Sequence, residues 1–312
     1  MKILHITNLY PTEAYSSFGI FIKEQIDSLN ETGCQNDVFF INGWELGKKE
    51  YFNHIGEIRK LSKDYDLIHC HHLYTILPYL LSFSKKPYIL SILNEINSLH
   101  MKVLYMLALS TAKKIIYKHD YKTKIKKMVY LPNGVNIDFF SPKDKDSSKK
   151  ALGLDPEKKY ALFVSASEAQ LKRKRFDKFE KVLEIVKQKG VELHPLILTG
   201  VNREDVPLYF NAPELFIMTS DFEGSPNAVK EAMACNTPVI STDVGNVRIM
   251  LEGCSSSFVS VKNSPEELAD LVLKSLKIKT HNERETIINK KLDMKSVALK
   301  LSGLYKQVLD LK

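Results

Sequence analysis

Two glutamates eight positions apart, Glu223 and Glu231, form the pattern in this sequence that most clearly predicts chemistry. A predicted strand over Glu214–Thr219 ends just before Glu223, and Ser225 as cap with Pro226 at the first helical position predicts a helix start. Ligands of open α/β sheets bind at such strand ends, and a helix N-terminus attracts phosphate. Since a carboxylate accepts hydrogen bonds from vicinal hydroxyls, the pattern indicates a phosphorylated sugar or nucleotide. Two solvent-facing glutamates remain the alternative.

Short apolar runs alternate with helical patterns along most of the chain, which predicts parallel sheets covered by helices on both faces. The predicted strands of the first half are Lys2–Thr7, Asp37–Ile41, Asp66–His71, Tyr88–Leu93, Lys114–Tyr117 and Lys127–Leu131. Those of the second half are Tyr160–Ser165, His194–Thr199, Glu214–Thr219, Pro238–Ser241 and Phe258–Val261. Helices are predicted over Phe21–Asn30 and Lys174–Gln188, and from a cap at Ser264.

A polar, lysine-rich stretch interrupted by prolines divides the two alternations. We therefore predict an α/β protein of two Rossmann-like domains facing across a cleft, residues 1–142 and 159–292, with a linker at 143–158. The segment 293–312 reads as a final helix with an apolar stripe, which must pack on the second domain or cross back to the first.

Composition places the chain among globular proteins, with 44% hydrophobic and 26% charged residues in 312. No apolar run reaches the roughly 18–20 residues of a membrane-spanning helix, and the first residues lack the apolar core of a secretory signal. We expect a cytoplasmic protein. The four cysteines, Cys34, Cys70, Cys235 and Cys254, show no Cys-x-x-Cys pair and predict neither a zinc nor a redox site.

The formal net charge of +8 favours anionic partners, and seven lysines fall between Lys113 and Lys127. A solvated surface is one interpretation of this cluster. The other is peripheral association with anionic lipid at the inner face of the cell membrane. No nucleic-acid-binding module is recognisable, so we expect no nucleic-acid partner.

The stretch Glu223-Gly-Ser-Pro-Asn-x-x-x-Glu231-Ala-Met-Ala, followed by Pro238-Val-Ile-Ser-Thr-Asp-Val-Gly245, resembles a known family. It is similar to the E-x7-E region of retaining GT-B glycosyltransferases of the glycogen-synthase-like group, which includes capsule, teichuronic-acid and O-antigen enzymes. The resemblance extends to Asn8-Leu-Tyr-Pro11, Phe18–Gln25, Asp66–His71 and Pro132-Asn-Gly-Val135 in the first half.

The resemblance implies roles for residues of the second domain. Glu223 would hold hydroxyls of the donor sugar, and Glu231 would bind the nucleotide ribose. The segment that supports Glu223 with backbone amides contains Gly224, Ser225, Pro226 and Asn227.

The resemblance also implies how the diphosphate is bound. Gly19, in the first loop of the other domain, would let the backbone approach the diphosphate, although an ordinary turn glycine is the alternative. Lys174 and Arg175 would stabilise the leaving diphosphate, unless they form a solvated helix start. Enzymes of this group need no bound metal, and we expect no cofactor and no metal site.

The chain departs from the family pattern at two candidate binding positions and in a second domain that looks shortened between Leu198 and Asn211. Leu93 or Asn94 occupies the position of a usual histidine, for which Glu95 could substitute. Ser165 and Ala166 replace a usual Gly-Arg pair. These changes motivate the alternative of a non-catalytic nucleotide-sugar-binding partner subunit.

His69 and His71 would share one face of a strand, and Asn133 lies in the Pro132-Asn-Gly turn. Metal binding by the histidines lacks a third ligand of evident spacing, so a polar strand end facing the cleft is the preferred interpretation. Asn94, Glu95 and Asn133 are further candidates for the cleft.

The resulting hypothesis is a retaining hexosyltransferase that acts without a metal. Its donor would be a UDP- or GDP-sugar, and its acceptor a glycan or a lipid-linked glycan of surface polysaccharide biosynthesis.

Overall fold

The computed structural model describes residues 1–13, 15, 18–93, 96, 98–118, 125–165 and 170–310. The chain forms two compact units with separate cores. Unit 1 comprises Met1–Gly134 together with Met294–Lys312, and unit 2 comprises Val135–Asp293.

Unit 1 contains a six-stranded sheet in which all neighbours are parallel. Its strands are β1 (Lys2–Thr7), β2 (Gln35–Phe40), β3 (Leu67–His71), β4 (Tyr88–Ile92), β5 (Lys114–Tyr117) and β6 (Met128–Tyr130). The order is β2-β1-β3-β4-β5-β6, and β3 and β4 are buried along their whole length. Strands covered on both faces have no solvent-facing side, and the polar residues of these two strands, His69, His71 and Ser91, are accordingly buried.

Helices follow the strands of unit 1 and cover the sheet. They are α1 (Ile20–Asn30), α2 (Glu50–Asn53), α3 (Ile55–Leu61), α4 (Ile76–Leu81) and α5 (Leu99–Thr111). The last carbonyls of α5 are bound by a lysine, since Lys127 Nζ donates to the oxygens of Leu109 (2.6 Å) and Ala112 (3.1 Å). A cation at the C-terminus of a helix also offsets the negative end of its dipole.

Unit 2 contains a five-stranded parallel sheet in the order β11-β10-β9-β7-β8. Its elements in chain order are α6 (Lys145–Ala151), β7 (Tyr160–Val164), α7 (Phe176–Gln188), β8 (His194–Leu198), α8 (Val206–Asn211), β9 (Leu215–Met218), α9 (Asn227–Ala234), β10 (Val239–Ser241), α10 (Val247–Leu251), β11 (Phe258–Val259), α11 (Pro265–Ser275) and α12 (Glu283–Asn289). Helix α11 begins as predicted, because the Ser264 side chain accepts from the Glu267 amide and Pro265 is at the first position.

The final helix α13 (Met294–Val308) belongs to unit 1. Its Val297, Leu301 and Tyr305 are buried against apolar residues of the first strands and of α1. An apolar stripe of this spacing is stable only when it is covered, and the face of the unit 1 sheet supplies that cover.

The unit boundary differs from the predicted one at 142. Val135 and Phe140 are buried in the core of unit 2, so the chain enters that unit directly after Gly134. The segment 143–158, predicted as a linker, contains helix α6 and packs on unit 2. Lys145 Nζ donates to Glu214 at 2.6 Å, which ties this segment to the start of β9.

The prediction of two parallel-sheet, Rossmann-like α/β domains is confirmed, and each predicted strand lies within two residues of an observed one. In the part of the chain that the structure describes, no helix combines the length and the apolar character needed to cross a membrane.

Candidate functional site

The candidate site of unit 2 lies where β9 ends and α9 begins. Thr219 and Ser220, directly after β9, are fully buried, and the loop containing Glu223 follows them. The predicted helix start is one residue early: Pro226 is the cap, with φ −66° and ψ 120°, and Asn227 is the first helical residue. Ser225 therefore does not cap the helix. Its hydroxyl oxygen instead accepts from the side-chain amide of Asn246 at 3.1 Å.

The carboxylate of Glu223 is held by two donors. Lys174 Nζ and the Ser220 hydroxyl, the latter at 2.9 Å, both donate to Oε1. The side chains of Glu223 and Lys174 are only 11% and 19% exposed. The structure thus brings together two of the predicted catalytic residues, in a partly desolvated place where a charge pair is stronger than in water.

The segment containing Lys174 is fixed to the end of β9. The Thr219 hydroxyl lies within hydrogen-bond distance of two carbonyl oxygens, those of Lys174 (3.0 Å) and Arg175 (2.9 Å). Because Thr219 is itself fully buried, this contact holds the turn before α7 close to the Glu223 loop.

Arg175 lies at the start of α7, and its predicted role at the diphosphate stays a prediction. It caps α7 in a left-handed conformation with φ 57°, and its guanidinium bonds the carboxylates of Asp177 (2.9 Å) and Asp221 (2.7 Å). Partial burial raises the pKa of Asp221, but hydrogen bonds from Arg175 and Lys178 outweigh it and lower the pKa below its ordinary value. The structure therefore joins Lys174, but not Arg175, to Glu223.

Gly245 supports the loop of Glu223 through a contact that only glycine allows. Its φ is +55°, and a Cβ at this position would lie 2.1 Å from the carbonyl oxygen of Gly224 and 2.7 Å from that of Glu223. The Asn246 amide donates to the same Gly224 oxygen at 3.1 Å. The loop that contains Glu223 thus packs directly on the turn that follows β10.

Glu231 lies one turn into α9 and bonds Arg203, whose NH1 donates to Oε1 at 3.1 Å. The Arg203 guanidinium also stacks over the rings of Phe139 and Phe140, 5.3 and 4.8 Å from their centroids. Sequence reasoning missed Arg203, which follows β8 by a few residues. The sequence signal that could have identified it is a single arginine between the turn at Gly200 and the short helix α8.

The first turns of α9 add two polar groups. Asn227 Oδ1 is buried and makes no hydrogen bond within the described part of the chain, although its residue was predicted to act in donor binding. Lys230, also missed by the sequence prediction, is fully buried and directs Nζ to the Ser225 hydroxyl at 3.4 Å. A buried amide oxygen that accepts nothing is costly unless a ligand hydroxyl supplies the donor.

Together these side chains suit one class of ligand. Glu223, Glu231 and Asn227 offer oxygens to hydroxyl groups, while Lys174 and Arg203 bring positive charge beside them. The first amide groups of a helix such as α9 have no partner within the helix and are further donors for an anion. The arrangement can bind a polyhydroxylated molecule that carries phosphate.

Gly19 lies at the start of α1 in unit 1 and has φ +68°. A Cβ there would lie 2.4 Å from the carbonyl carbon of Leu9 and 2.6 Å from the amide nitrogen of Tyr10. The glycine therefore lets the loop after β1 pack directly on the helix start. The predicted contact with a diphosphate stays a prediction.

The predicted placement of His69 and His71 at a cleft surface is wrong, because both side chains are buried inside unit 1. His69 bonds the Tyr305 hydroxyl (2.6 Å) and the Ser91 hydroxyl (2.8 Å), which occupies both ring nitrogens. His71 Nε2 meets His5 Nδ1 at 2.9 Å. These three histidines have ligand atoms within 4.8 Å of one another, and protein partners already bind them.

Burial sets the protonation of this cluster. Desolvation lowers the pKa of His5 to about 4 and holds the pKa of His69 and His71 well below the ordinary value, and the charges of His5 and Lys118 lower the latter two further. Desolvation also lowers the pKa of the buried Lys118 to about 7. The cluster is a neutral hydrogen-bonded network between the sheet and α13.

The remaining candidates are less informative. Asn133 follows β6 and is 7% exposed, near the end of the first part of unit 1. Asn94, Glu95 and Ala166 lie outside the described residues, so the predictions that concern them stay predictions. Leu93, which with Asn94 is one of the two positions that the resemblance aligns with a usual histidine, is half-buried directly after β4.

Comparison with known proteins gives a family match for part of the chain. Residues 175–293 match the glycosyl transferases group 1. A probable sucrose-phosphate synthase of Thermosipho melanesiensis is 31% identical over 189 residues, which cover 53% of this chain and 43% of that protein. A D-inositol 3-phosphate glycosyltransferase of Mycobacterium marinum is 26% identical over 151 residues, covering 41% and 32%. The chain thus spans less than half the length of these curated relatives.

Solved structures extend the likeness to the whole chain. The sucrose-phosphate synthase of Thermosynechococcus elongatus has a TM-score of 0.78 at 14% identity, with 99% of both chains covered. Anabaena Alr3699/HepE, solved in complex with UDP and glucose, has a TM-score of 0.73 at 14% identity, covering 98% of this chain and 99% of its own. At these identities the likeness concerns the fold, and it confirms the GT-B architecture. The match to the glycosyl transferases group 1 thus covers residues 175–293, and the solved structures show the fold of the whole chain.

Proposed function

We propose that the chain is a retaining glycosyltransferase that moves a hexosyl unit from a UDP- or GDP-sugar to a glycan or lipid-linked acceptor. Surface polysaccharide biosynthesis is the proposed setting. The observation that carries this proposal is the group formed by Glu223, Lys174 and Asn227 at the carboxyl end of β9. Its oxygens suit the hydroxyls of a sugar, and its ammonium suits the phosphate attached to it.

The nucleotide is assigned to the neighbouring pair. Glu231 accepts from Arg203 through Oε1, and a carboxylate is the type of group that accepts hydrogen bonds from the two hydroxyls of a ribose. That Anabaena Alr3699/HepE was solved with UDP and glucose supports a uridine nucleotide as the first donor to test.

The proposed reaction is a substitution on one face of the sugar. The acceptor oxygen forms a bond to the anomeric carbon, the bond from that carbon to the phosphate oxygen breaks on the same face, and the acceptor proton passes to the leaving phosphate. Lys174 would stabilise the charge that develops on the diphosphate. Lys174 and Ser220 both donate to Oε1 of Glu223, and the proposal assigns this carboxylate to the hydroxyls of the donor sugar.

The same proposal includes independence from metals. Positive charge for the leaving diphosphate comes from side chains, with Lys174 beside Glu223 and Arg203 beside Glu231. Chelation with EDTA should therefore leave turnover unchanged.

We also propose peripheral association with an anionic membrane at the inner face of the cell membrane. Helix α5 exposes Leu99, Val103 and Met106 on one side, and no acidic residue occurs between Ile96 and His119. Lys102 and Lys113 are exposed beside this apolar face. An apolar helix face flanked by cations is the composition that binds anionic lipid surfaces.

The test is a panel of UDP- and GDP-sugars in which nucleotide release and thermal shift are recorded with and without membrane extract. One donor should release nucleotide, and Glu223→Gln should slow this release about 100-fold while leaving the thermal shift with free nucleotide intact. Glu252→Gln, whose side chain is exposed, is the matched control and should behave as the wild type.

The alternative function, a non-catalytic nucleotide-sugar-binding partner subunit, is separated by the same panel. It is motivated by the replacements at Leu93 and Ala166. A thermal shift without turnover of any donor would establish it in place of the transferase. The absence of a shift with every nucleotide would refute both functions.

A further inference from the structure

A cavity of about 460 Å³ opens in unit 1 where its first strands end. Asn8 directly follows β1, Trp44 lies in the loop after β2, and His72 directly follows β3. Leu77 of α4 and His100 of α5 complete the wall. The volume is in the range of small-molecule pockets, and the carboxyl edge of a parallel sheet is where such ligands bind.

The wall of this cavity is mainly apolar and aromatic. The rings of His72, Tyr74 and His100 form a continuous stack, with centroid distances of 5.1 and 5.7 Å. Trp44 and Phe18 also line the cavity; Trp44 is 61% exposed, and its ring lies 5.5 Å from that of Phe18. A wall of this composition stabilises a ligand by removing apolar surface from water, at about 0.8 kcal/mol per methylene group.

Two polar groups stand out against the apolar wall. Asn8 donates its side-chain amide to the Tyr51 hydroxyl at 2.7 Å, while its Oδ1 makes no hydrogen bond among the described residues. Lys48 is exposed and contributes the one lysine of the lining. The cavity therefore suits a molecule with a long apolar part, an anionic group near Lys48 and a donor for Asn8.

Helix α5 links this cavity to a larger apolar surface. His100 lines the cavity, and the exposed side chains of Leu99 and Val103 lie on the same helix within three residues of it. Exposed apolar patches of this kind mark binding surfaces for proteins or membranes. Their nearness to the cavity favours a ligand whose apolar chain comes from a lipid phase.

We propose that this cavity binds the first part of the apolar chain of a lipid-linked acceptor, with its phosphate beside Lys48. The inference rests on the proposed function in naming the ligand an acceptor, and it selects the lipid-linked acceptor over a free glycan. Sugar transfer would then take place at the end of the acceptor that lies outside the apolar wall.

The intrinsic fluorescence of the protein tests this proposal directly, because Trp44 is the single tryptophan of the chain. Geranyl phosphate, titrated below its aggregation concentration, should shift the emission of Trp44 to shorter wavelength with a saturable dependence. Inorganic phosphate and glucose 1-phosphate should leave the emission unchanged. A saturable shift with glucose 1-phosphate and none with geranyl phosphate would overturn the proposal.

Variants separate the two parts of the ligand. Leu77→Asp, which introduces a carboxylate into the wall, should weaken geranyl phosphate binding at least about tenfold. Leu299→Asp on the exposed face of α13 should not, and circular dichroism of both variants checks folding. Lys48→Gln should weaken geranyl phosphate about three- to fivefold and leave geraniol unaffected. Equal binding of geraniol and geranyl phosphate to the wild type would refute the role of Lys48.

Donor turnover gives an independent result. Binding of geranyl phosphate without turnover of any donor supports the cavity and contradicts the transferase. Turnover of a donor without a response of Trp44 to geranyl phosphate supports the transferase and overturns the cavity assignment.

Discussion

Glu223 meets Lys174 across 49 positions of the chain, and Glu231 meets Arg203 across 28. The two carboxylates could be identified from sequence because their spacing follows from one strand, one loop and one helix. Lys174 could be proposed because the family resemblance implies a basic residue for the leaving diphosphate at the start of the predicted helix Lys174–Gln188. Arg203 could not, since its pairing depends on the path of the chain after β8, which composition and periodicity do not reveal. Contacts between segments that are far apart along the chain are thus the part of the site that could not be predicted from sequence.

Gly245 allows a prediction at the same scale. Gly245→Ala places a methyl group against the carbonyl oxygen of Gly224 and should destabilise the protein by about 1–3 kcal/mol, because the loop must shift. A displacement of about 1 Å at Glu223 should lower donor turnover roughly 100-fold. Thermal denaturation and nucleotide release measure the two effects.

The matched control is Gly253→Ala. Gly253 also has a positive φ, +88°, but a Cβ there would meet nothing within 4 Å. This variant should lose about 1 kcal/mol of stability through backbone conformation alone and should keep its turnover. Equal loss of turnover in both variants would contradict the steric role of Gly245.

Helices and strands were predicted well where hydrophobic pattern decides their formation. Most strands are rich in apolar residues, and α13 has a regular apolar stripe, so burial favours the formation of both. The error at 143–158 has the opposite cause. Helix α6 is short and rich in lysine, and it forms because Asp144 caps it and Lys145 pairs with Glu214. Neither contact has a periodic signature, so the segment resembled a linker.

Helix α5 carries the prediction at the scale of the element. The wild type should sediment with vesicles containing phosphatidylglycerol and not with pure phosphatidylcholine vesicles, and 0.5 M salt should release part of it. Met106→Glu should reduce the partition coefficient about tenfold, since Met106 is 63% exposed on the apolar face and would otherwise be buried in lipid.

Leu299→Glu makes the same kind of change at a similar exposure, 57%, on α13. It should leave vesicle binding intact. Equal loss of binding in the two variants, or a concentration-dependent dimer of the wild type that Met106→Glu dissociates, would show that α5 does not contact lipid.

The buried histidines are distributed unevenly between the two units. The buried histidines His5, His69, His71 and His72 all lie in unit 1, and desolvation lowers the pKa of each. They are neutral in the folded unit and become protonated in the unfolded chain below pH 6.5. The unfolded state then binds more protons, so acid favours unfolding of unit 1.

We therefore predict that unit 1 loses stability first as the pH falls from 6.5 towards 4. Each such histidine contributes a slope of up to about 1.4 kcal/mol per pH unit in this window. Hydrogen exchange, expressed as protection factors at pH 7 and pH 5, should show lower protection in β1 and β3 while β7 and β9 keep theirs. Equal loss in both units would contradict the assignment.

The return of α13 to unit 1 has a consequence for the nascent chain. The ribosome completes residues 1–134 and the whole of unit 2 before it makes the helix that covers Ile3, Leu67 and Ile116. At a synthesis rate of about 5–20 residues per second, this apolar sheet face remains uncovered for roughly 10–30 s. Unit 2, which is continuous in sequence, can fold during that delay. The first-made unit is therefore the last to finish folding, and until α13 is made its uncovered sheet face is exposed apolar surface of the kind that leads to aggregation.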